Sequence, residues 1–362
     1  MSRFWSDHVS GLAPYVAGEQ PKQPDLLKLN ANENPYGPSP MALQAIRDAA
    51  TDGLKKYPDL QAAELRQEIA QLHGLTPDHI FVGNGSDEVL AHIFNGLFKR
   101  QGKPLLFPDI TYSFYKTYCR FFDIPAQLVA LDEQLALRVS DYTEPGLDPA
   151  GIIFANPNAP TGRALSLDDI RAIAHAHPDI PVVVDEAYVD FGGESAVSLI
   201  SDYDNIVVVH TFSKSRSLAG LRVGFAMAHP AIVDGLHRVK DSFNSYPLDT
   251  VAQAGAEASL RDTAYFDRTR HAVMQARDAL SSEMTALGFH VIPSLTNFVF
   301  AEHARYSAVA LQADLREQGI LVRHFNQPRI QNFLRISIGT PEECARLLAA
   351  IKVSLQRLTP SA

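Results

Sequence analysis

Five short runs of apolar residues, spread over the first two thirds of the chain, restrict the possible folds most. They span residues 79–82, 104–107, 151–155, 181–184 and 206–209. The runs are apolar on both faces, which is typical of strands in a sheet that helices cover on each side. Helical patterns lie between several of them, for example over residues 166–177. The sequence therefore predicts an α/β fold with a mostly parallel central sheet between helices.

The character of the chain changes along its length and indicates three regions. Residues 1–40 are rich in Pro, Asn and Gly and predict an extended N-terminal arm. Residues 41–250 contain the five runs and would form a large, ligand-binding domain. After residue 250, long amphipathic helices precede a strand, helix, strand, strand, helix order. This order predicts a smaller α+β C-terminal domain over residues 251–362.

Composition excludes several classes of partner. A net charge of -9 argues against nucleic acid, because binding to phosphate backbones needs a basic face. The two cysteines, Cys119 and Cys344, lack the spacing of metal ligands, so we expect no metal and a reducing compartment. Neither a signal peptide nor a run of about 20 apolar residues occurs. We therefore expect a cytoplasmic protein without a membrane partner.

Polar or aromatic residues follow each of the five runs. In open α/β sheets, ligands bind beyond the carboxyl ends of the strands, so these residues are candidates for a site. Gly85 and Ser86 follow the first run and open a helix, an arrangement that favours a phosphate but also fits an ordinary turn with a helix cap. Tyr112 follows the second run and could stack on a planar cofactor, although such aromatic residues more often belong to the core.

Lys214 follows the fifth run, where the chain enters a turn rich in Ser and Gly. An ammonium group in such a place must be solvated, paired or used chemically. Ser213, Ser215 and Arg222 supply anion-binding groups around it. The set suits a lysine that forms a Schiff base with a phosphorylated aldehyde cofactor. The segment alone is equally compatible with a surface lysine in a strand-to-helix loop.

Asp185 and Glu186 follow the fourth run and have two interpretations. Four apolar residues before Asp-Glu are typical of the magnesium-binding strand of a nucleotide hydrolase, but such enzymes also need a G-x-x-x-x-G-K-[ST] loop. The chain has no such loop. Asp185 is better explained as the counter-ion of a protonated ring nitrogen, which would make the pyridine of pyridoxal phosphate an electron sink.

Three motifs then indicate a family. They are Asn-Pro-x-x-Pro-Thr-Gly at 156–162, Asp-Glu-Ala-Tyr at 185–188, and Ser-Lys at 213–214 with an arginine at 222. Together they resemble the fold-type I pyridoxal-phosphate-dependent aminotransferases. Within that family, the resemblance over nearly the whole chain is to the histidinol-phosphate aminotransferase group. It rests on residues 12–15, 29–35, 56–59, 319–323 and 334–339.

The resemblance implies a role for each candidate residue. Lys214 would carry the cofactor, Asp185 would pair with the pyridine nitrogen, Tyr188 would lie near the ring hydroxyl, and Tyr112 would stack on the ring. The cofactor phosphate would be held by Gly85, Ser86, Ser213 and Arg222, with Asp87 at the same helix start. Tyr57 would reach that phosphate from the neighbouring subunit, which implies a homodimer. The substrate pocket would be lined by Tyr15, Tyr57, Arg323 and Arg335.

One position departs from the family pattern. The family usually has asparagine directly before Pro-Thr-Gly, where its amide bonds the ring hydroxyl, whereas this chain has Ala159 there and Asn158 one place earlier. We keep Asn158 as a candidate cofactor residue that reaches the ring by a different backbone path. The alternative is that water and Tyr188 cover the hydroxyl.

The implied reaction is transamination of L-histidinol phosphate with 2-oxoglutarate, giving imidazole acetol phosphate and glutamate in histidine biosynthesis. An aromatic amino-acid aminotransferase or a threonine-phosphate decarboxylase would use almost the same cofactor residues. A non-catalytic regulator or binding module on this fold is a more distant alternative. The chain has no basic stretch or appended helix-turn-helix segment that would support it.

Overall fold

A computed structural model of the chain describes residues 2–14, 19 and 25–360. Its strands are β1 (Leu27–Leu29), β2 (Ile80–Asn84), β3 (Leu105–Pro108), β4 (Ala126–Val129), β5 (Gly151–Ala155), β6 (Val182–Asp185), β7 (Ile206–Thr211), β8 (Val223–Ala228), β9 (Phe289–Ile292), β10 (Phe298–His303), β11 (Ile320–His324) and β12 (Phe333–Ser337). Its α-helices are α1 (Asp7–Gly11), α2 (Pro40–Ala49), α3 (Ala63–His73), α4 (Gly85–Ile93), α5 (Phe114–Phe121), α6 (Leu167–Ala176), α7 (Pro230–Asp241), α8 (Thr250–Arg261), α9 (Thr263–Ala286), α10 (Ala308–Glu317) and α11 (Pro341–Arg357).

The larger sheet has seven strands in the order β2-β8-β7-β6-β5-β3-β4. Strand β8 is antiparallel to both of its neighbours, and the remaining pairs are parallel. The predicted α/β class with a mostly parallel central sheet is therefore confirmed. The five apolar runs correspond to β2, β3, β5, β6 and β7, whereas β4 and β8 were not anticipated from the sequence.

Alternating side chains of the central strands enter two different cores. Val182 and Val184 of β6 pack on one face of the sheet, in a cluster that includes residues of α3, α6 and α8. Val183 points to the other face, in a cluster with residues of α4, α5 and α7. All three valines are fully buried. Burial on both faces explains why these strands have continuous apolar sequences.

The second sheet has the order β1-β11-β12-β10-β9 and packs with α9, α10 and α11. Strand β1 is parallel to β11, and the other pairs are antiparallel. Leu27–Leu29, in the predicted arm, thus forms an edge strand of this sheet. The division into residues 1–40, 41–250 and 251–362 remains a prediction.

The two sheets meet beyond the carboxyl end of β6. Tyr188 and Phe191, which follow that strand, share a buried cluster with Phe298 of β10, and the rings of Tyr188 and Phe298 lie 5.2 Å apart in an edge-to-face arrangement. The polar residues at the strand ends therefore face the second sheet across a crevice. Among the helices described, none is long and apolar enough to cross a membrane.

Candidate active site

A cavity of about 240 Å³ lies in this crevice, and Lys214 forms part of its wall. The same wall includes Tyr112, Tyr188, Arg323 and Arg335. Residues more than 200 positions apart in the chain, which the sequence suggested as one site, therefore surround a common space. Its position beyond the ends of parallel strands is where ligands bind in open α/β sheets.

The ammonium group of Lys214 is held by the chain backbone and by an aromatic ring. Its Nζ donates a hydrogen bond to the carbonyl of Ala31 at 3.3 Å and lies 5.7 Å from the centre of the Tyr188 ring. Asn34 donates from Nδ2 to the carbonyl of Lys214 at 3.0 Å. Among the described residues, no carboxylate pairs with this amine. The residue is half-buried and is positioned to react with a ligand in the cavity.

Asp185 ends β6 and is almost completely buried. Burial raises the pKa of this carboxyl to about 6. Hydrogen bonds from Tyr115 and from the amide of Ala187 favour the charged form and partly oppose this rise. The Tyr115 hydroxyl donates to Oδ2 at 2.8 Å, and the Ala187 amide donates to Oδ1 at 3.3 Å. A buried carboxylate of this kind suits a cationic partner in a ligand.

An anion-binding cradle lies where β2 enters α4. Gly85 begins the helix with φ of +76°, and a Cβ there would lie 2.4 Å from Nη2 of Arg222. The residue before it, Asn84, makes no side-chain cap to the first amides of α4. At Gly224 of β8, an added Cβ would lie only 2.3 Å from the amide nitrogen of Ser86. The glycines thus keep the helix amides and the Arg222 guanidinium close together, which favours a phosphate.

Arg222 is oriented by Asp87 of α4 and by Ser213, which precedes Lys214. Its Nη2 donates to Oδ2 of Asp87 at 3.0 Å, and its Nη1 donates to Oγ of Ser213 at 3.5 Å. Tyr112 donates from its hydroxyl to Oδ1 of the same Asp87 at 3.0 Å. Burial raises the pKa of Tyr112 well above its usual value, so the phenol stays protonated and donates. The predicted residues Asp87, Tyr112, Ser213 and Arg222 therefore form one hydrogen-bonded group.

These features match the three functional parts of pyridoxal phosphate. Lys214 offers an amine for the aldehyde, Asp185 offers a buried carboxylate for the ring nitrogen, and the cradle at Gly85 and Arg222 offers donors for the phosphate. The space that a Cβ at position 85 would fill is occupied by the Arg222 guanidinium, so the glycine lets this cation approach the start of α4. The residues present therefore fit this cofactor. No group of three His, Cys, Asp or Glu in the described part of the chain could hold a metal ion.

The side chain of Asn158 is hydrogen-bonded within the chain, around the turn after β5. Its Nδ2 donates to the carbonyl of Ile110 and to Oγ1 of Thr161, each at 3.0 Å, and its Oδ1 accepts from Thr111 at 2.8 Å. The cavity wall at this place is made by Ala159 and Pro160. The amide is thus used to brace the turn after β5. A contact between this amide and the cofactor ring stays a prediction.

Two predicted substrate residues, Tyr57 and Tyr15, are not placed at the site by the described part of this chain. Tyr57 is 81% exposed, and its ring stacks on Tyr246 with centres 4.7 Å apart. An exposed position is compatible with the predicted role in a neighbouring subunit, which stays a prediction. Tyr15 lies outside the described residues.

Arg323 of β11 and Arg335 of β12 are directly opposite in antiparallel register. Both line the cavity, and both guanidinium groups lie over the ring of Phe325, at 5.6 and 5.4 Å from its centre. Arg335 also donates from Nη2 to the carbonyl of Asn30 at 3.1 Å. Like charges in opposite positions destabilise a sheet, and an anion bound between them would offset that cost.

The sequence did not reveal three contacts around the site. Tyr115 bonds Asp185, Asn34 bonds the backbone of Lys214, and Asn32 donates from Nδ2 to the Tyr188 hydroxyl at 2.9 Å. The available signal was the cluster of asparagines at 30–34, which we interpreted only as part of an arm. For Tyr115, the spacing of three residues from Tyr112 at a helix start was the only hint.

Fold and site together define a fold-type I pyridoxal-phosphate-dependent enzyme. The family model described as aminotransferase class I and II matches residues 24–351. Histidinol-phosphate aminotransferase 1 of Bordetella parapertussis is 58% identical over 352 residues, covering 97% of this chain and 99% of that protein. Histidinol-phosphate aminotransferase of Pseudomonas putida is 57% identical, covering 97% and 100%. The chain belongs to the class I and II aminotransferase family and, within it, to the histidinol-phosphate aminotransferases.

A solved structure shows the same fold. It is histidinol-phosphate aminotransferase from Sinorhizobium meliloti in complex with pyridoxal-5'-phosphate, with a TM-score of 0.86 and 24% identity over 98% of each chain. The fold agrees with the arrangement of sheets and helices described above.

Proposed function

We propose that this protein transfers the amino group of L-histidinol phosphate to 2-oxoglutarate, giving imidazole acetol phosphate and glutamate in histidine biosynthesis. Relatives that carry this name share more than half of their residues with the chain over nearly its full length. The observation that carries the proposal is the pair Arg323 and Arg335 in the cavity that Lys214 lines. It supplies two cations for an anionic substrate beside the reactive amine.

Each cofactor-binding residue would contact a different part of pyridoxal phosphate. The bound cofactor supplies an aldehyde that forms a Schiff base and a protonated ring that accepts negative charge. Asp185 would hold the proton on the ring nitrogen, and Tyr112 would stack on the ring. Gly85, Ser86, Ser213 and Arg222 would hold the phosphate, while Asp87 orients the guanidinium of Arg222.

Lys214 would also act as the general acid and base. As a free amine, its Nζ would accept the proton from the substrate carbon that bears the amino group and would then donate it to the carbon that had been the aldehyde. The Ala31 carbonyl, 3.3 Å from Nζ, can accept a hydrogen bond from the freed amine. Tyr188, beside the same amine, would donate to the oxygen of the cofactor ring.

One pocket would accept both substrates in turn. Arg323 and Arg335 can grip either a phosphate or a carboxylate, because a guanidinium fork donates two parallel hydrogen bonds. Histidinol phosphate and 2-oxoglutarate each present an anion at that end. Tyr15, and Tyr57 from a neighbouring subunit, would complete the pocket.

We also propose that the active unit is a homodimer in the cytoplasm. Tyr57 and Tyr246 form a stacked aromatic pair at the surface, and Phe243 nearby in sequence is 79% exposed. Exposed aromatic groups of this size are typical of protein interfaces. The low cysteine content and the biosynthetic reaction favour a reducing compartment.

The sharpest test is a comparison of amino donors. We expect histidinol phosphate to give a much higher kcat/KM than phenylalanine, tyrosine or threonine phosphate, with 2-oxoglutarate as acceptor. Lys214→Ala serves as the control and should lose both activity and the visible absorption of the bound cofactor. A preference for a non-phosphorylated amino acid, or decarboxylation of threonine phosphate, would overturn the substrate assignment and favour one of the alternatives.

A further inference from the structure

We propose that Asn32 is a positioning residue that directs the hydroxyl proton of Tyr188 into the cavity, toward the oxygen of the cofactor ring. The inference rests on the proposed function, since it requires pyridoxal phosphate in the cavity. It adds a residue that acts through Tyr188 and not through its own contact with a ligand.

The direction of one hydrogen bond carries the argument. Nδ2 of Asn32 lies 2.9 Å from the Tyr188 hydroxyl and can only donate. The phenol oxygen is therefore the acceptor in this contact, and its own proton must point elsewhere. Over residues 2–14, 19 and 25–360, that proton has no protein acceptor, and Tyr188 lines the cavity with Lys214.

The other end of the Asn32 amide is hydrogen-bonded to Ser337. Ser337 accepts the backbone N–H of Asn32 on Oγ at 2.8 Å and donates its own proton to Oδ1 of Asn32 at 3.1 Å. Asn297 donates to the carbonyl of Asn32 at 3.0 Å. Asn32 is only 1% exposed, so water does not compete for these groups. The oxygen is thus committed to Ser337, and the NH₂ group faces Tyr188.

The backbone at this position also favours asparagine. Asn32 has φ of +56°, a left-handed conformation that asparagine adopts more readily than most other residues. Its neighbour Ala31 accepts the hydrogen bond from Nζ of Lys214. One turn therefore positions both the reactive amine and the phenol beside it.

The part of the cavity wall that Ala159 and Pro160 form makes the direction of this proton important. Ala159 and Pro160 line the cavity with side chains that cannot donate a hydrogen bond, and Asn158 is committed to the turn behind them. In this part of the wall, Tyr188 is therefore the side chain that can donate a hydrogen bond to the ring oxygen. If its hydroxyl proton pointed away from the cavity, the ring oxygen would lose this donor.

The test is a pH titration of the visible absorption band of protein loaded with pyridoxal phosphate. A donor to the ring oxygen stabilises its deprotonated form, so losing that donor should move the pH midpoint of the band upward. Asn32→Gly tolerates the positive φ but removes the amide, and Asn32→Asp offers an acceptor in its place. We expect upward shifts of about 0.5 to 1 unit, the size of one neutral hydrogen bond, in Asn32→Gly and Tyr188→Phe.

A double-mutant cycle separates positioning from a general structural role. If Asn32 acts through the phenol, Asn32→Gly should cause no further shift in the Tyr188→Phe background. Asn332→Asp, in a loop of the second sheet outside the cavity wall, should leave the midpoint unchanged. Equal shifts from Asn32→Gly in both backgrounds, or none in either, would overturn the inference. A wild-type protein that shows no visible band would instead refute the cofactor assignment on which the proposed function depends.

Discussion

The hydroxyl of Tyr115 donates a hydrogen bond of 2.8 Å to Oδ2 of Asp185, and both side chains are buried. Burial raises the pKa of Asp185 to about 6, and this hydrogen bond opposes the rise. Burial also raises the pKa of Tyr115 well above its usual value, so the phenol remains a donor. The carboxyl that we assign to the cofactor nitrogen is thus kept ionisable by a tyrosine on α5.

Replacing Tyr115 with phenylalanine should therefore weaken cofactor binding. Without the hydrogen bond, the pKa of Asp185 rises further and its carboxylate pairs less well with a protonated ring. A hydrogen bond to a charged group contributes about 1.5–3 kcal/mol, so we expect the Kd for pyridoxal phosphate to rise roughly 10- to 100-fold. The Kd can be measured by absorbance titration of the cofactor-free protein.

Tyr142→Phe is the matched control for this experiment. Tyr142 is also fully buried, but its hydroxyl has no hydrogen-bond partner among the described residues. Its loss should leave the Kd unchanged. Equal effects of the two substitutions would show that Tyr115 acts through packing and not through Asp185.

Asp185→Asn should stabilise the cofactor-free protein at neutral pH while weakening the loaded one. Because the pKa of this carboxyl is raised from 3.8 to about 6 on folding, its ionisation disfavours the folded state. The penalty is complete above the folded value of about 6 and vanishes below 3.8. A shift of about 2 units corresponds to roughly 3 kcal/mol at pH 7.5.

Urea unfolding at several pH values measures this effect. The gain in free energy of unfolding should be greatest at pH 7.5 and should shrink steadily toward pH 4. In protein loaded with pyridoxal phosphate, Asp185→Asn should instead lower the free energy of unfolding at pH 7.5. The variant cannot pair with the protonated ring nitrogen, so cofactor binding stabilises it less. A gain that does not depend on pH would mean that the buried charge is not its cause.

The parts of this molecule that the sequence predicts are those that local chemistry determines. The valines of β6 and β7 predict buried strands because both faces of the sheet are covered, and Lys214 and Asp185 stand at their ends. Strand β8 was missed because Gly224 and three alanine or methionine residues weaken its strand signal. Its glycine is explained only by the approach of Ser86, which is 138 positions away in the chain.

Contacts between distant segments could not be predicted in this way. Leu27–Leu29 joins the second sheet by pairing with β11, about 290 residues later. Asn32 reaches Tyr188 and Ser337 where the two sheets meet, and Tyr115 reaches Asp185 where α5 packs on the larger sheet. The three partners of Asn158 could not be predicted for the same reason, because they depend on the path of the turn and not on the motif.

Gly224→Ala should damage the phosphate cradle. The new Cβ would lie 2.3 Å from the amide nitrogen of Ser86, so α4 must move away from β8 and from Arg222. We expect weaker cofactor binding together with a loss of stability of about 1–3 kcal/mol, typical of overpacking. Gly235→Ala is the control, since nothing lies within 4 Å of its added Cβ and alanine favours the α7 helix. Similar losses from both substitutions would argue against a specific close approach.

Mixing two inactive variants tests the proposed homodimer. If Tyr57 serves the neighbouring site, a mixed dimer of Tyr57→Ala and Lys214→Ala has one site with both defects and one with neither. Random exchange of subunits should then restore about a quarter of the wild-type activity. Unmixed samples of each variant are the controls. No recovery after subunit exchange, confirmed by mass spectrometry, would place Tyr57 outside the neighbouring site.

Arg335→Ala should impair both half-reactions, because one pocket binds two different anions. Loss of a charge-assisted contact contributes about 1.5–3 kcal/mol, so each half-reaction should lose roughly 10- to 100-fold in kcat/KM. Single-turnover spectra with histidinol phosphate, and separately with glutamate, measure the two losses.

Arg335→Lys should recover only part of each loss, since an ammonium cannot bind an anion through two parallel hydrogen bonds. Arg305→Ala, an exposed arginine after β10, should change neither. If only one half-reaction is impaired, the two anions do not share Arg335. The facing pair Arg323 and Arg335, on β11 and β12, would then bind only one of the two substrates.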